Sequence, residues 1–320
     1  MDPRKNIGTC KRGNWFGKPY YFFGDYLQHR HGVRILKLPI DSGLSCPNRD
    51  PDRGLTGCIF CGDDGSASPT TACGTGIEEQ MASARAAFRR SDRETKYIAY
   101  FQAFTNTNAP VQALKSLYDR ALSQPDIVGL MIGTRPDCVG DDVLDLIASY
   151  IKPGFELWLE IGMQSCHDRS LDFLKRGHTH ADTLSAAARA ADRNIPVCAH
   201  LILGIPGETW KDMMDTADAV AAMPLSGIKL HHLHAIRGTE LDRMSREKCV
   251  SFFTMKEYVS TLCDFLERIR PDIIVHRLLG DRHIESLVAP AWGSHKGTVL
   301  REIEDEFARR GTYQSFLYGR

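Results

Sequence analysis

No apolar run in this chain approaches the ~20 residues that a bilayer-spanning helix needs, so a helical membrane protein is not expected. Net charge is missing as well. Lys plus Arg and Asp plus Glu each number 40, which leaves no overall field to draw the chain onto nucleic acid or an anionic membrane. The polar beginning MDPRKNIGTCKRG has no apolar signal region, and the expectation that follows is a cytoplasmic protein with no membrane partner. Internal repeats, low-complexity tracts and long linkers are absent, so 320 residues that are 42% hydrophobic fit one barrel with small appendages or two domains. The glycine-rich turn Gly204-Ile-Pro-Gly-Glu208 matches neither a Walker loop nor the spacing GxGxxG, and by itself it is weak evidence for a phosphate site.

Cysteine, by contrast, is plentiful. Ten of them in a chain expected in a reducing compartment argue for metal or redox chemistry at a few rather than for a disulfide frame. Three fall in one loop, Ser45 to Gly65, SCPNRDPDRGLTGCIFCGDDG, which is rich in turn formers and has neither helical nor strand periodicity. Cys46, Cys58 and Cys61 are separated by eleven and then two residues, and the closing pair brackets Ile59 and Phe60. Three converging thiolates leave one ligand position open. A structural zinc takes four protein ligands, whereas an iron-sulfur cubane on three cysteines keeps one iron free for a substrate or cofactor. On the residues alone zinc stays open, with Cys73, twelve residues beyond Cys61, or one of the twelve histidines as the fourth ligand. Unligated cysteines are the third reading. Cys10, Cys138, Cys166, Cys198, Cys249 and Cys263 are scattered and read as small buried or surface residues.

Around this loop the chain is patterned as an α/β protein. RILKLPI, at 34–40, alternates apolar and polar residues and ends where the thiol loop begins. Helical patterns at 76–89, 111–122, 142–150, 180–192 and 208–223 then alternate with strands at 97–102, 127–132, 155–161, 197–203 and 227–233. Six such units predict an incomplete TIM-like (β/α)6 parallel barrel over 34–250, with an N-terminal cap at 1–33 and a small C-terminal extension at 251–320. That extension carries helices at 255–268 and 296–310 and a strand-like 273–276.

Barrel enzymes carry their chemistry at the C-terminal ends of strands. Thr105, Asn106 and Thr107 stand there, as do Thr134, Arg135 and Asp137, and then Glu160, Gln164, His200, Gly204 and Lys229. Charged groups on barrel strands are costly unless paired or facing a wet cavity. Glu160, His200 and Lys229 therefore predict a cavity, as ligand contacts or as a satisfied polar network. His231 and His234 suit zinc only with a third ligand, which nothing nearby supplies.

The first 33 residues interleave Arg4, Lys5, Lys11, Arg12, Lys18 and Arg30 with Trp15, Phe16, Tyr20, Tyr21, Phe22, Phe23 and Tyr26. Lys and Arg on phosphates with bases stacked on rings would suit RNA. The favoured reading is a cap whose rings pack on the barrel floor. Near the other end, Arg277, Arg282, His283, Trp292, His295 and Lys296 are candidates for a substrate mouth.

At SCPNRD, GCIFC, FQAFTNT, GTRPDC, LEIGMQS, RGH and GIPGE the chain resembles the radical S-adenosylmethionine (SAM) superfamily. The first cysteine gap is eleven residues instead of the usual three. That resembles the subfamily of the Elongator catalytic subunit and a group of shorter bacterial proteins. The resemblance runs from about residue 20 to the end. It implies a partial barrel, a [4Fe-4S] cluster on Cys46, Cys58 and Cys61, and SAM bound to the open iron by its amino and carboxylate groups. It further implies reductive cleavage of SAM to a 5′-deoxyadenosyl radical that abstracts hydrogen, with a flavodoxin- or ferredoxin-like one-electron donor as partner. By the same resemblance Gly204 lies under the adenine and residues near Thr105 receive the methionine amino group, so that Thr105, Asn106, Arg135, Glu160, Gln164, His200 and Gly204 become the expected cofactor-binding residues. Ala-Phe-Thr-Asn stands where the family usually has Gly-Gly-Glu, which leaves the amino-group ligand open. The implied substrate is a tRNA wobble uridine, through its carboxymethylaminomethyl side chain. No acetyltransferase pattern accompanies it, so acetyl transfer is not the expected reaction. Two readings from other classes remain beside this one, a zinc-stabilised RNA-binding module and an iron-sulfur electron carrier that does not cleave SAM.

Overall fold

Parallel strands under a layer of helices are apolar on the covered face, and the strands of this chain follow that pattern apart from positions such as His232 and Thr134. The computed structural model describes residues 13–50, 52, 54–63, 65, 75–88, 94–280 and 285–319. Seven strands, β1 (Arg34–Ile40), β2 (Thr95–Phe101), β3 (Ile127–Thr134), β4 (Glu156–Gln164), β5 (Val197–Leu203), β6 (Gly227–His232) and β7 (Ile274–Arg277), form one parallel sheet in chain order. It curls into a half barrel. One alternate set of side chains, including Leu38, Ile40, Ala99, Phe101, Leu130, Ile132, Leu159 and Ile161, joins the large outer core under the helices. The other set faces the lumen. Among the helices, α1 (Phe23–His31), α2 (Ile77–Phe88), α3 (Val111–Leu122) and α4 (Asp141–Ala148) belong to the first half, and α5 (Asp168–Phe173), α6 (His180–Asp192) and α7 (Trp210–Ala222) to the second. α8 (Glu240–Arg246), α9 (Met255–Arg268) and α10 (Lys296–Arg310) follow.

Several starts are written in the sequence. Thr179 with Asp182, Thr209 with Asp212, and Thr254 with Glu257 form capping boxes at α6, α7 and α9, each satisfying two otherwise orphaned backbone donors. The sheet has one strand more than the six expected. Ile274–Arg277, expected in the C-terminal extension, pairs parallel with Gly227–Lys229 and becomes an edge of the barrel.

The floor of the lumen is closed by the N-terminal segment. Trp15, Tyr21, Phe23, Tyr26 and Leu27 pack against Ile98, Tyr100, Met131, Trp158, Cys198 and Ile274. Val275 N–H donates to Tyr21 O at 2.7 Å, and Phe22 bridges Val275 in parallel, so the segment also covers the outer edge of β7. Glu156, buried at the floor, accepts from Arg30 Nε at 2.6 Å and Trp158 Nε1 at 3.1 Å, and lies 3.1 Å from His31 Nε2. The expected ring-on-floor packing is therefore present. Arg4, Lys5, Lys11 and Arg12 lie outside the described residues, and Lys18 is ion-paired with Asp25 at 3.0 Å.

Candidate functional site

The thiol loop lies over the C-terminal mouth of the barrel because its apolar residues have nowhere else to go. Ile59 is buried with Leu174, Ile202, Ile205 and Leu241. Its N–H donates to Leu174 O at 3.3 Å and its carbonyl accepts from Leu241 N–H at 2.9 Å. At the far side Phe104 N–H donates to Gly65 O at 3.2 Å, and a Cβ on Gly65 would sit 2.5 Å from the Phe104 ring. Only glycine permits that approach. The loop thus spans from the end of β2 to α8 and carries Cys46, Cys58 and Cys61 between those anchors.

Cys58 is buried and its sulfur has two donors, Arg176 Nη1 at 3.1 Å and Asn48 Nδ2 at 3.3 Å. Burial pushes this thiol up, but the charges of Arg176 and Arg135 and the two hydrogen bonds outweigh it and hold Cys58 below the ordinary thiol range. Burial and the neighbouring Cys58 push Cys61 up, against the pull of Arg49. Arg49 Nη2 donates to Cys61 O at 3.0 Å and so fixes the turn that brings the second and third thiols together. Behind them the 175–178 turn is braced twice. Asn48 Nδ2 donates to the carbonyls of Lys175 and Arg176 at 2.8 Å each, and Arg135 donates to Arg176 O at 2.5 Å and Gly177 O at 3.1 Å. Gly177 has φ +66°, and a Cβ there would lie 2.5 Å from Asn48 Oδ1. Among the described residues, the groups compact enough to share a single ion do not include the three cysteines, whose sulfurs are spread more widely than one zinc would hold them.

The other expected residues divide by what their polar atoms do. Asn106 is fully engaged: Nδ2 donates to the carbonyls of Ala103 and Gly133, and Oδ1 accepts from Ser42 Oγ. Arg135 also grips Asp137 through Nε and Nη2 at 2.9 and 2.7 Å. Glu160, with no exposed surface, accepts through Oε2 from Tyr100 OH at 2.7 Å, from His200 Nε2 at 2.9 Å and from Lys229. Burial opposes its charge, but Lys229, His200 and Lys37 hold it well below the usual carboxylate range. Burial and Lys229 push His200 down to about 4, so its ring is neutral and its Nε2–H is the donor. All four thus have partners within the fold, although Glu160 Oε1 is buried without one among the described residues.

Thr105 differs from them. It is 1% exposed and its hydroxyl has no partner among the described residues, a cost the fold carries at the mouth. Gln164 is buried with φ +67°, and Gly204, at φ +82°, would bring a Cβ within 3.1 Å of the Phe253 ring. His231 does not join His234 in a metal site: Arg277 Nη2 lies 2.6 Å from its Nε2, and a cation there opposes a second one. Cys73, Arg282 and His283 are outside the described residues. Asn48 and Arg176 escape sequence reasoning as thiol partners, and their signal is their place inside SCPNRD and RGH.

The Radical SAM superfamily profile matches residues 46–220 and the Radical_SAM C-terminal domain matches 225–309. The chain belongs to the radical SAM superfamily. It is 37% identical to YtqA of Bacillus subtilis, covering 95% of this chain and 94% of that protein. A shorter stretch, 37% of this chain and 21% of the other, is 32% identical to a tRNA uridine(34) acetyltransferase of Methanocaldococcus jannaschii. In fold it resembles the Elp3 structure from Methanocaldococcus infernus, with TM-score 0.61 and 16% identity over 88% of this chain and 64% of that one. As a radical SAM enzyme it uses a [4Fe-4S] cluster and SAM and requires a one-electron reductant. Among the described residues no helix is long and apolar enough to cross a membrane.

Proposed function

We propose that Cys46, Cys58 and Cys61 hold the cluster of this radical SAM enzyme and that its substrate is a tRNA wobble uridine carrying a carboxymethylaminomethyl side chain. The observation that carries the first part is the Cys58 sulfur, buried yet kept toward its thiolate by Arg176 and Asn48, which is the form an iron ligand needs. The residues fit such a group. The loop supplies three thiols and no fourth side chain from the described residues, and beside it Thr105 offers a buried hydroxyl without a partner. When bound, the cluster supplies one electron to SAM, whose cleavage gives the 5′-deoxyadenosyl radical that takes a hydrogen atom from substrate.

The chain's own residues bind and orient. In this reading the Thr105 hydroxyl, buried without a partner among the described residues, would accept a hydrogen bond from the methionine amino group, and Gln164 and the Gly204 turn would contact the rest of the cofactor. Asn106, Arg135, Glu160 and His200 act at one remove by fixing the loops and the lumen wall. The floor rings exclude water from below. For the tRNA part the support is the 124-residue likeness to a tRNA uridine(34) acetyltransferase, and a flavodoxin or ferredoxin of the cytoplasm is the proposed electron donor. Anaerobic reconstitution followed by assay of 5′-deoxyadenosine tests the chemistry. A colourless protein with one zinc, or a brown protein that leaves SAM intact, would replace it with the zinc-module or electron-carrier reading. Nucleoside mass spectrometry of tRNA from a strain lacking the protein tests the substrate, and an unchanged wobble-uridine profile would count against it.

A further inference from the structure

We propose that Lys37 of β1 and Arg277 of β7 form a cation pair across the open seam of the half barrel that receives one carboxylate of the substrate. The inference rests on the wobble-uridine reading for the identity of that carboxylate, the carboxymethyl end of the side chain. β1 and β7 are the two edges of the sheet, and they do not pair with each other. Between them lies a cavity of about 200 Å³ walled by Lys37 and Pro39 on one side and His276 and Arg277 on the other, with Tyr100 and Lys229 behind. Three cations reach this space and one carboxylate, Glu160, stands at its back. Glu160 is already engaged by Lys229, His200 and Tyr100.

Lys37 and Arg277 are left over. Among the described residues the Lys37 ammonium makes no hydrogen bond and no ion pair, and it rests over the rings of Phe23 and Tyr100 at 4.8 and 5.6 Å. Arg277 has no carboxylate partner among the described residues; its Nη2 meets the neutral His231, and its buried Nε has none. The two cations repel each other, and burial together with Lys229 and Arg277 pushes Lys37 down to about 7 against the pull of Glu160. A low-dielectric cavity with two unpaired cations favours an anion between them. A carboxylate suits both partners, one oxygen toward the Arg277 guanidinium and the other toward the Lys37 ammonium, since both side chains line the cavity. It would also fill the seam, so that recognising the side chain and closing the lumen become one event.

The test uses the reconstituted full chain and two tRNAs that differ only at the wobble uridine, one with carboxymethylaminomethyl and one with aminomethyl. The wild type should prefer the first by on the order of tenfold, the worth of a charged hydrogen bond. Lys37→Met and Arg277→Met should each bring that ratio near one, and Lys37→Arg should keep it, which separates recognition from misfolding. A wild-type ratio retained in both Met variants overturns the pair and leaves the wobble reading intact. If the wild type binds neither tRNA, the wobble reading has failed, and the pair is judged with acetate and inorganic phosphate alone. The dimethylated Lys37 resonance, assigned by its loss in Lys37→Arg, should then titrate at higher pH when acetate is added, in the wild type and not in Arg277→Met. No shift with acetate, or a shift with phosphate only, overturns a carboxylate site.

Discussion

At the floor of the half barrel Glu156 is buried among Arg30, His31, Tyr26 and Trp158, each within 3.4 Å. At the mouth, Thr105 Oγ1, both ring nitrogens of His178, and Nε of Arg176 and Arg277 are buried without partners among the described residues. The same seven strands supply both ends. The floor is not fully satisfied either, since both ring nitrogens of His276, packed on Phe23 and Trp158, lack a partner among the described residues; the contrast is between aromatic packing below and unpartnered donors around the thiol loop above.

The sharpest way to break this contrast is to exchange the effects of the two ends. Ala in place of Cys46, Cys58 or Cys61 should abolish the brown chromophore and SAM cleavage entirely, while Cys73→Ala leaves both intact; loss of the chromophore on changing Cys73 would make the centre a four-thiol site. At the floor the expected result is reversed. Phe23→Ala, which removes a ring stacked 3.9 Å from His276, should leave the chromophore in place but lower stability by ~3–5 kcal/mol in anaerobic urea titration.

Between floor and mouth, Glu160→Gln should cost about 3–5 kcal/mol because Lys229 is left buried and unpaired, and adding Lys229→Met should restore part of that loss. Equal losses in the single and double variants would mean that the pair adds nothing beyond packing. A smaller effect concerns pH. Lys37 titrates at about 7 folded against 10.5 in its ordinary state, so between those values the unfolded chain holds a proton that the folded chain lacks. Stability then rises with pH across that window, and it gains nothing further from Lys37 below it. Urea midpoints of Lys37→Met should rise less between neutral pH and about pH 10 than those of wild type, with Lys229, Glu160, Cys198 and Arg277 the charged and titratable groups that act on Lys37. The smallest effect is at the surface. Neutralising Arg4, Lys5, Lys11, Arg12 and Lys18 should weaken tRNA binding and reduce its salt slope by about one unit for each phosphate no longer held. A small-molecule substrate predicts no change.

Much of the frame was legible because local signals and burial agreed. β1, α3, α6, β5, α9 and α10 run over the residues their periodicity indicates, helped by the threonine caps at α6 and α9. The seventh strand was not legible as such, since its pairing with Gly227–Lys229 spans more than forty residues and nothing in four residues announces a partner. α1 was hidden for another reason. Its sequence FGDYLQHRH has little helical periodicity, and its rings are buried by the sheet they plug rather than by a stripe of their own. The thiol triad could be read from spacing, but the donors that tune Cys58 come from Asn48 in the same loop and Arg176 118 residues away. Lys37 was not singled out in the sequence, although RILKLPI alternates and Leu38 and Ile40, on the other face of β1, belong to the outer core.

The bridge from Phe22 to Val275 joins the N-terminal plug to the last strand of the barrel sheet, a separation of 253 residues (275 − 22). A ribosome makes the plug first and its socket strand by strand. Trp15, Tyr21, Phe23 and Tyr26 leave the exit tunnel before Ile98, Tyr100, Met131, Trp158 and Cys198, against which they pack, and Ile274 of β7 comes last. Nascent chains halted before residue 98 should hold these rings exposed, in a form that chaperones or hydrophobic dyes detect, and chains extended past residues 158, 198 and 274 should hide them by degrees.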